Sequence, residues 1–419
     1  MTEPYDVAVV GGGASGLAAA IAAARDGART CIVERDVACG LPVLATGNGR
    51  CNLSNERLDP RRYRHPDIAR RVMGDDPEAT VSRLFDSLGL LSSPVEGRLY
   101  PVTRRAESVR DVLISGCARA KVDSLCGTEV RSASYADGTW TLEVDAPARC
   151  VRVEEAGKAA LRRARKALAA TPRDSRALRA HAVVLAPGGA CAKTCALFAV
   201  PHMDEEPLLC PIACDGPNDM GLDALDGLRA EGMLTLKRGG ACIAFEEGEV
   251  LFRPYGISGI AAFNLSRRIE PGDTIELDLF PHLSEPALRS LLERRMQAVG
   301  AFPGDPAWFD GMLARPLAQA VCAYARALGN DLAAVASALH RFPLAVTGTA
   351  EHAQAQVRRG GIPWSAVDTE TLSIARATIG HGLYACGEAL DMDADCGGYN
   401  LAWAWISGLR AGAAAAQLR

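Results

Sequence analysis

Long apolar runs and a strong net charge are both absent from this sequence. Apolar stretches such as Leu17–Ala24 and Ala182–Leu185 fall well short of the roughly 20 residues that a membrane-spanning helix requires. With 46 basic and 50 acidic residues the formal net charge is −4, so no overall field favours a nucleic acid or a membrane surface. Met1 is followed by polar residues and then by a strand, without a signal-peptide pattern. We therefore expect a cytoplasmic protein without a membrane partner.

Disulfide and metal signatures are also missing. The 14 cysteines occur singly in apolar segments, where free cysteine behaves as a small hydrophobic residue. Two C-x3-C pairs, Cys191/Cys195 and Cys210/Cys214, supply four thiols suited to zinc or an iron–sulfur cluster, yet such sites prefer C-x2-C spacing. We predict no metal site and expect buried or redox-active thiols instead. Neither an H-E-x-x-H nor a Ser-His-Asp pattern occurs to indicate a hydrolase.

A complete β-α-β pattern lies near the start of the chain. Tyr5–Val10 is predicted to be a buried strand, Leu17–Asp26 an Ala-rich helix and Arg29–Glu34 a second strand, with G-x-G-x-x-G in Gly11–Gly16 at the first turn. In this motif the first glycine makes the tight turn, the second lets a pyrophosphate approach the backbone, and the third packs helix on strand. The acid Glu34 is placed to accept ribose hydroxyls and disfavours a 2′-phosphate. The pattern predicts a dinucleotide-binding site.

A polar stretch with several glycines follows at Gly40–Asn55. Thr46, Asn48 and Asn52 are neutral hydrogen-bonding groups, Arg50 is a fixed cation, and the glycines permit close approach. This set suits a large polar heteroaromatic ring or a polyol better than a hydrophobic partner. On composition alone, a surface cluster of turns remains an equal alternative.

The last quarter of the chain has a comparable feature. Gly382–Asp391 is predicted to be a short apolar strand ending at a glycine–acid pair, and Cys396–Asn400 is a glycine turn that leads into an apolar helix at Leu401–Leu418. A turn that exposes backbone N–H groups at a helix start suits an anion or an electron-rich ring edge. Alone, it is also compatible with an ordinary strand-loop-helix of an α/β protein.

Several distinctive blocks occur together in one order. They are Gly11–Gly16, Thr46–Asn52 (TGNGRCN), Gly97–Val102 (GRLYPV), Glu249–Phe252 with Tyr255–Gly259, and Gly387–Asp391 with Gly397–Asn400. In these blocks the chain resembles the bacterial flavoprotein family of BaiN-like NAD(P)/FAD-dependent oxidoreductases and aminoacetone-oxidase-like FAD enzymes. It departs from that family at Ala190–Phe198, where a Ser-Tyr-Pro…Thr-Gly-Ser-Thr-Gly-Asp-Gly run is usual near the active site. This departure means that the substrates of relatives do not transfer directly.

The resemblance implies FAD at the N-terminal motif, the Thr46–Asn52 loop near the flavin ring, and Gly387-Glu388 beside the ribityl chain and pyrophosphate. Adenine is expected near Val130, by analogy with the fold. The residues predicted to contact FAD are Gly11, Gly13, Ala14, Ser15, Gly16, Glu34, Arg35, Thr46, Gly47, Asn48, Gly49, Arg50, Cys51, Asn52, Val130, Ala186, Gly188, Gly387, Glu388, Gly397, Gly398, Tyr399, Asn400 and Leu401.

Groups that could transfer a proton lie in or near the family blocks. They are Cys51, Tyr255, His282, His352, Asp395 and Tyr399, of which Cys51, Tyr255 and Tyr399 are predicted to be catalytic. Tyr399 and Asn400 lie at a helix start, where N–H groups can stabilise negative charge on reduced flavin. Cys51 lies beside Arg50, an arrangement that can lower a thiol pKa, but packing is the favoured role of this residue.

The predicted fold class is α/β with two domains. A discontinuous Rossmann-type FAD-binding domain comprises residues 1–190 and 345–419, and a mostly antiparallel β domain, 191–344, is inserted with a helical subdomain at about 285–341. Within 154–180, eight cations against three acids predict a basic helix and linker before a strand at His181–Ala186. A solvated helix is favoured for this insertion. A docking surface for RNA, an acidic partner or a phosphate-rich cosubstrate is the alternative.

We expect an FAD-dependent oxidoreductase acting on a small molecule. The favoured reaction is reduction of an activated C=C bond in a small or hydrophobic metabolite, with electrons from NAD(P)H passing through FAD. No second G-x-G-x-x-G marks a stable nicotinamide site, and NADH and NADPH both stay open as donors. One alternative is a flavin amine oxidase that uses O2. Another is an RNA-acting flavoprotein that binds through the basic insertion, although the overall charge makes a nucleic-acid partner the less favoured reading.

Overall fold

The chain forms two compact units in a computed structural model that describes residues 3–153, 157–302, 304–375 and 380–418. Unit 1 contains the residues up to Glu206 and those from Val357 onward, and unit 2 is Pro207–Gln356. The chain therefore crosses between units later than the expected boundaries at 190 and 345. The first crossing is late because Cys195 and Phe198 are buried in the hydrophobic core of unit 1.

The elements of unit 1 begin with a strand, a helix and a second strand, as the sequence predicts. In chain order they are β1 (Tyr5–Val10), α1 (Ala14–Arg25), β2 (Thr30–Glu34), β3 (Ser54–Asn55), α2 (Pro66–Met73), α3 (Pro77–Leu88), β4 (Ser92–Val95), β5 (Arg98–Pro101), α4 (Ala106–Arg119), β6 (Asp123–Cys126), β7 (Glu129–Ala136), β8 (Thr139–Pro147), α5 (Lys158–Ala169), β9 (Arg173–Leu185), α6 (Ala192–Leu197) and β10 (Met203–Leu208).

Unit 2 then follows, after which the chain returns to unit 1. The elements of unit 2 are β11 (Ile212–Asp215), β12 (Arg229–Arg238), β13 (Ala241–Arg253), β14 (Gly256–Ser258), α7 (Ile260–Ser266), β15 (Thr274–Asp278), α8 (Glu285–Val299), α9 (Arg315–Ala327), α10 (Leu332–His340) and β16 (Phe342–Thr349). The returning elements are β17 (Val357–Gly361), β18 (Leu383–Ala385) and α11 (Tyr399–Ala416).

A seven-stranded sheet is the frame of unit 1. Its order is β6-β2-β1-β9-β8-β7, and β18 also pairs with β9. The strands β6, β2, β1, β9 and β18 run parallel, whereas β8 and β7 are antiparallel additions. Ligands of such sheets bind at the carboxyl ends of the parallel strands. Here that edge carries Gly11 after β1 and Glu34 at the end of β2, so the predicted Rossmann-type arrangement is confirmed.

The basic insertion forms a helix and the outer half of a long strand. Its first three residues, 154–156, lie outside the described residues, and α5 follows. The strand after it begins at Arg173 rather than at His181, because Arg173–Ala180 pairs with β8 over the register Pro147↔Arg173 to Trp140↔Ala180. Only Ala160 and Ala164 of α5 are buried, so most of the helix surface, including its cations, faces solvent.

Unit 2 is a closed antiparallel barrel in the strand order β11-β14-β13-β12-β15-β16, with β16 pairing back to β11. Its hydrophobic core joins barrel residues such as Phe252 and Phe342 to Leu288 of α8 and Val321 of α9. The mostly antiparallel β domain with a helical subdomain is therefore confirmed, and the barrel closure is an addition to the prediction. In the described residues of both units, no helix has the length and apolar character that crossing a bilayer demands.

Candidate active site

The two ends of the chain meet along helices α1 and α11. Both helices present small residues at their crossing: a side chain on Gly408 would overlap the carbonyl oxygen of Ser15, and one on Gly412 would overlap that of Ala19. Close helix approach needs small residues on both sides of the contact. This crossing brings the glycine turn before α11 to the same region of unit 1 as the glycine motif before α1.

The glycine motif forms the tight turn that the sequence predicts. A side chain at Gly11 would overlap the Ala186 carbonyl at the end of β9, whereas one at Gly13 would meet nothing within 4 Å. The open space at Gly13 is where a phosphate group can approach the backbone. The first turn of α1 contains no acidic residue, so its N-terminal N–H groups favour an anion.

Glu34, at the end of β2, stabilises this turn by hydrogen bonding. Its Oε2 accepts a hydrogen bond from the Gly12 N–H at 2.7 Å, and its Oε1 accepts one from the Asp36 N–H at 2.7 Å. A carboxylate offers about four acceptor positions, so these two bonds still leave acceptors for the ribose hydroxyls that the sequence predicts. Glu34 therefore both shapes the loop and points its carboxylate to the strand edge.

The Thr46–Asn52 loop belongs to a 3₁₀ segment, Leu41–Gly49, that is kinked from Thr46 to Asn48. The Thr46 hydroxyl donates to the Val43 carbonyl at 2.6 Å, so it fixes the loop. With its amide oriented to satisfy both atoms, Asn52 donates to the Ser54 carbonyl at 2.8 Å and accepts from the Gly398 N–H at 3.0 Å. Asn52 thus ties the loop to the C-terminal glycine turn.

Cys51 lies inside this loop and is fully buried. Burial raises the pKa of its thiol to about 11, although a hydrogen bond with Thr46 acts the other way. A thiol pKa lowered by Arg50 is therefore not found, because Arg50 is exposed and screened by water, whereas the thiol is buried. Burial of Cys51 agrees with the packing role that the sequence favours and not with a catalytic thiolate.

The glycine turn before α11 is held by the N-terminal half of the chain. Asn55 donates to the Gly397 carbonyl at 2.9 Å, and the Tyr63 hydroxyl donates to the Tyr399 carbonyl at 3.0 Å. The Tyr63 and Tyr399 rings pack edge to face with centroids 5.8 Å apart. We call the contact between the Thr46–Asn55 segment and the Gly397–Tyr399 turn the clamp.

The Asn400 side chain stabilises the turn before α11, and the predicted role of its backbone N–H toward the flavin stays a prediction. Its side chain folds back on the preceding loop, accepting from the Ala394 N–H and donating to the Ala394 carbonyl, both at 2.9 Å. It also donates to the Asp395 carbonyl at 3.3 Å. These bonds use the amide oxygen and the amide nitrogen of Asn400, so its side chain stabilises the turn and is not directed to a ligand.

Glu388 is a partly buried acid of the site. The preceding Gly387 is fixed by α11, since its N–H donates to the Ser407 hydroxyl at 2.9 Å and its carbonyl accepts from the Trp403 indole at 3.0 Å. Glu388 accepts from the Arg358 N–H at 2.6 Å. Burial raises the pKa of Glu388 to about 7, and the N–H groups of Arg358 and Gly189 only partly offset that effect. A carboxyl with this pKa can be neutral and act as a donor near neutral pH.

A network of buried aspartates was missed in the sequence. Asp391, Asp393 and Asp395 are at most 4% exposed. Each pairs with an arginine: Arg64 with Asp391 at 2.6 Å, Arg359 with Asp393 at 2.9 Å, and Arg62 with Asp395 at 3.2 Å. The alternating D-x-D-x-D of 391–395 and the basic R-R-Y-R of 61–64 were the available signals. This network assigns Asp395, one of the proton-transfer candidates, to an ion pair that fixes the approach to the clamp.

A cavity of about 1760 Å³ runs along unit 1, from Tyr5 and Arg29 near the amino ends of β1 and β2 to Asp36 beyond the carboxyl end of β2. Its walls come from the loop after β2, the C-terminal end of β6, strand β8 and the inserted helix α5, and they include Asp36, Asn48 and Thr128. Cys39 lines the cavity and also lies against Gly12 of the glycine motif. The cavity therefore adjoins the phosphate turn, and its size exceeds the usual range for a small-molecule pocket.

These features fit a bound FAD. The open backbone at Gly13, a second such position at Gly188, the acceptor Glu34 and the cavity beside the turn are the elements that a dinucleotide needs. The clamp supplies backbone N–H groups at the start of α11. Of the predicted contacts, the structure brings the residues around Gly11–Gly16, Glu34, Thr46–Asn52 and Gly387–Leu401 into unit 1, and their contacts with FAD stay predictions.

Three of the proton-transfer candidates belong to unit 2. Tyr255 lies between β13 and β14, with the Arg253 guanidinium 5.9 Å from its ring centre. His282 is exposed and pairs with Glu247 at 3.3 Å, and His352 contacts the Thr349 hydroxyl at 2.7 Å. These contacts are those of surface and turn residues, and the catalytic role of Tyr255 stays a prediction.

Comparison with known proteins gives a consistent assignment. The family described as HI0933-like protein Rossmann domain matches residues 5–414. A 3-dehydro-bile acid delta(4,6)-reductase from Clostridium scindens is 30% identical, over 98% of this chain and 99% of the relative. A ribosomal RNA dihydrouridine synthase from Escherichia coli is 24% identical, over 97% and 96%. A solved 3-ketosteroid-delta4-(5alpha)-dehydrogenase from Rhodococcus jostii is 15% identical over 99% of this chain and 98% of that one, with a TM-score of 0.44.

Proposed function

The chain belongs to the HI0933-like family of FAD-dependent oxidoreductases, and from that premise we propose that it is a reductase of carbon–carbon double bonds conjugated to a carbonyl group. The observation that carries the proposal is the similarity, along nearly the whole chain, to a protein named as a delta(4,6)-reductase. The E. coli relative is named for making dihydrouridine, which is also the product of reducing a C=C bond next to a carbonyl. Two relatives with different substrates thus share one bond chemistry.

FAD supplies hydride transfer when it is bound, and the residues of unit 1 have the supporting tasks. The turn at Gly11–Gly16 and the acceptor Glu34 would hold the pyrophosphate and the ribose. The clamp would present N–H groups of the α11 start toward the electron-rich edge of the ring and exclude water from that side. Glu388, with its raised pKa, would hold a proton beside the cofactor.

NAD(P)H is the proposed electron donor, and an anaerobic titration tests it. Either NADH or NADPH is expected to bleach the flavin absorbance of the purified holoprotein in proportion to the amount added. Reoxidation by an enone, but not by its saturated ketone, is expected to follow. If neither nucleotide bleaches the flavin, the proposed electron source is wrong. Peroxide release on adding amines under air would favour the amine oxidase alternative.

An RNA substrate is the second candidate, and one structural observation favours it besides the name of the E. coli relative. Helix α5 carries Lys158, Arg162 and Lys166 on one exposed stripe, four residues apart, and such a row of cations is suited to a phosphate backbone. A solvated surface remains the competing interpretation, because α5 has no aromatic residue for base stacking.

Removing positive charge from α5 distinguishes an RNA-binding surface from a solvated one. The variant K158Q/R162Q/K166Q is expected to lower affinity for ribosomal RNA about tenfold or more at low salt and to reduce the salt dependence of binding, if RNA docks there. The matched control R71Q/R119Q/K121Q removes three exposed cations elsewhere on unit 1. Equal RNA binding by wild type, variant and control would exclude this surface. Deleting 154–180 is unsuitable because it removes half of β9.

A further inference from the structure

The divergent segment after β9 gathers metal-binding groups that lie apart in the sequence. Donor atoms of Cys191, His202 and Glu205 all lie within 4.8 Å of one another. Cys191 precedes α6, while His202 and Glu205 flank the first residues of β10. All three belong to unit 1. Their association was not visible in the sequence, where Cys191 and Cys195 were grouped with Cys210 and Cys214.

Cys195 lies beside this group without belonging to it. It follows Cys191 by four residues, a separation at which two side chains share one face of a helix. The donor atoms that meet within 4.8 Å are those of Cys191, His202 and Glu205. Cys191 therefore enters the group through its contacts with residues around β10, and the C-x3-C spacing that disfavours a metal does not bear on it.

The polar groups are already oriented toward each other. Glu205 Oε1 accepts from the Cys191 N–H at 2.7 Å, and it lies 2.9 Å from His202 Nε2. Such contacts among ligands and backbone orient a metal site before the ion binds.

Burial differs among the three residues. Cys191 is fully buried, whereas the side chains of His202 and Glu205 are 17% and 13% exposed. The thiol therefore lies deepest, and the imidazole and carboxylate lie nearer to solvent. Sulfur, nitrogen and carboxylate oxygen are ligands typical of zinc, and three protein ligands leave the fourth position of a tetrahedral ion to water.

We propose that Cys191, His202 and Glu205 bind one zinc ion in unit 1. The proposal replaces the expectation, drawn from cysteine spacing, that the chain holds no metal. The ion would join the start of α6 to β10 and so fix the segment that begins at Ala190, where this chain departs from its family. None of the three ligands is among the predicted FAD contacts, so zinc content can be measured apart from the proposed reductase chemistry.

Metal analysis of the purified full-length protein tests the proposal. Mass spectrometry is expected to find about one zinc per chain, falling to below about one-tenth in C191S and H202A, because losing one of three ligands strongly weakens a zinc site. The matched control C150S/C242S removes two exposed cysteines and should keep its zinc. Flavin content per chain, measured on the same samples, shows that each variant is folded.

Two further measurements make the result decisive. Cobalt substituted for zinc should show thiolate-to-metal absorption that C191S abolishes and C195S keeps, and E205Q should lower zinc retention while keeping the shape of the side chain. Less than one-tenth zinc in flavin-loaded wild type would overturn the proposal. So would zinc content that C191S and H202A leave unchanged, or a disulfide between Cys191 and Cys195 in the protein as isolated.

Discussion

Replacing Gly398 by alanine is expected to lower the affinity of the protein for FAD by about 100-fold, equivalent to roughly 3 kcal/mol. Gly398 has φ +98°, a conformation that side chains rarely adopt, and a Cβ there would overlap the carbonyl of Ser54. The Asn52 amide also accepts from the Gly398 N–H at 3.0 Å. Alanine would therefore both strain the turn and separate the two sides of the clamp. Flavin titration of the apoprotein measures the change.

The matched control for this prediction is Gly138→Ala. Gly138 also has a positive φ, +74°, but it lies in the β7–β8 hairpin turn and a Cβ there meets nothing within 4 Å. The Gly138→Ala substitution should lower the free energy of unfolding by about 1 kcal/mol and leave FAD affinity unchanged. If the two variants lose FAD affinity equally, the loss reflects general destabilisation. If Gly398→Ala binds FAD like the wild type, the clamp is not part of the cofactor site.

The parts of unit 1 that the sequence predicted are those with short-range signals. Strand, glycine turn, helix and acid follow one another within Tyr5–Glu34, so each can be identified from its neighbours. The turn at Cys396–Asn400 was predicted for the same reason, because glycines directly precede an apolar helix. The link between the two sites came from the family resemblance, and the structure explains it through the Ala19–Gly412 crossing of α1 and α11.

Contacts between segments far apart in the chain could not be predicted from the sequence. The salt bridge between Arg359 and Asp393 and the antiparallel bridge between Tyr63 and Ala394 join segments with no local pattern in common. For the same reason the outer half of β9 was mistaken for linker: its exposed, charged residues gave no apolar alternation, and pairing with β8 decides its structure. Barrel closure in unit 2 likewise depends on the meeting of β11 and β16, more than 120 residues apart in the chain.

The second large expected effect concerns Glu388. This residue should make the free energy of unfolding depend on pH, and the substitution Glu388→Gln should abolish that contribution. Its pKa is raised from 4.5 to about 7 by burial, so the folded protein binds this proton more tightly than the unfolded chain does. The free energy of unfolding should therefore fall as pH rises from about 4.5 to 7, by about 3 kcal/mol from this group alone, and change no further above pH 7. Glu388→Gln cannot ionise, so it should lack this slope and be the more stable protein at pH 8.

Urea unfolding at several pH values checks this, with the difference between wild type and variant as the measured quantity, because other acids contribute their own slopes. Glu143→Gln, which neutralises an exposed acid on β8, is the control and should retain the wild-type slope. A Glu388→Gln protein with the same pH slope as wild type would mean that the carboxyl is ionised throughout.

The raised pKa of Glu388 also has a functional reason. A neutral Glu388 would not repel the pyrophosphate that the family resemblance places beside it, and its O–H could donate a hydrogen bond to that group. The amide of glutamine keeps a donor there, so the variant should gain stability at pH 8 without losing flavin.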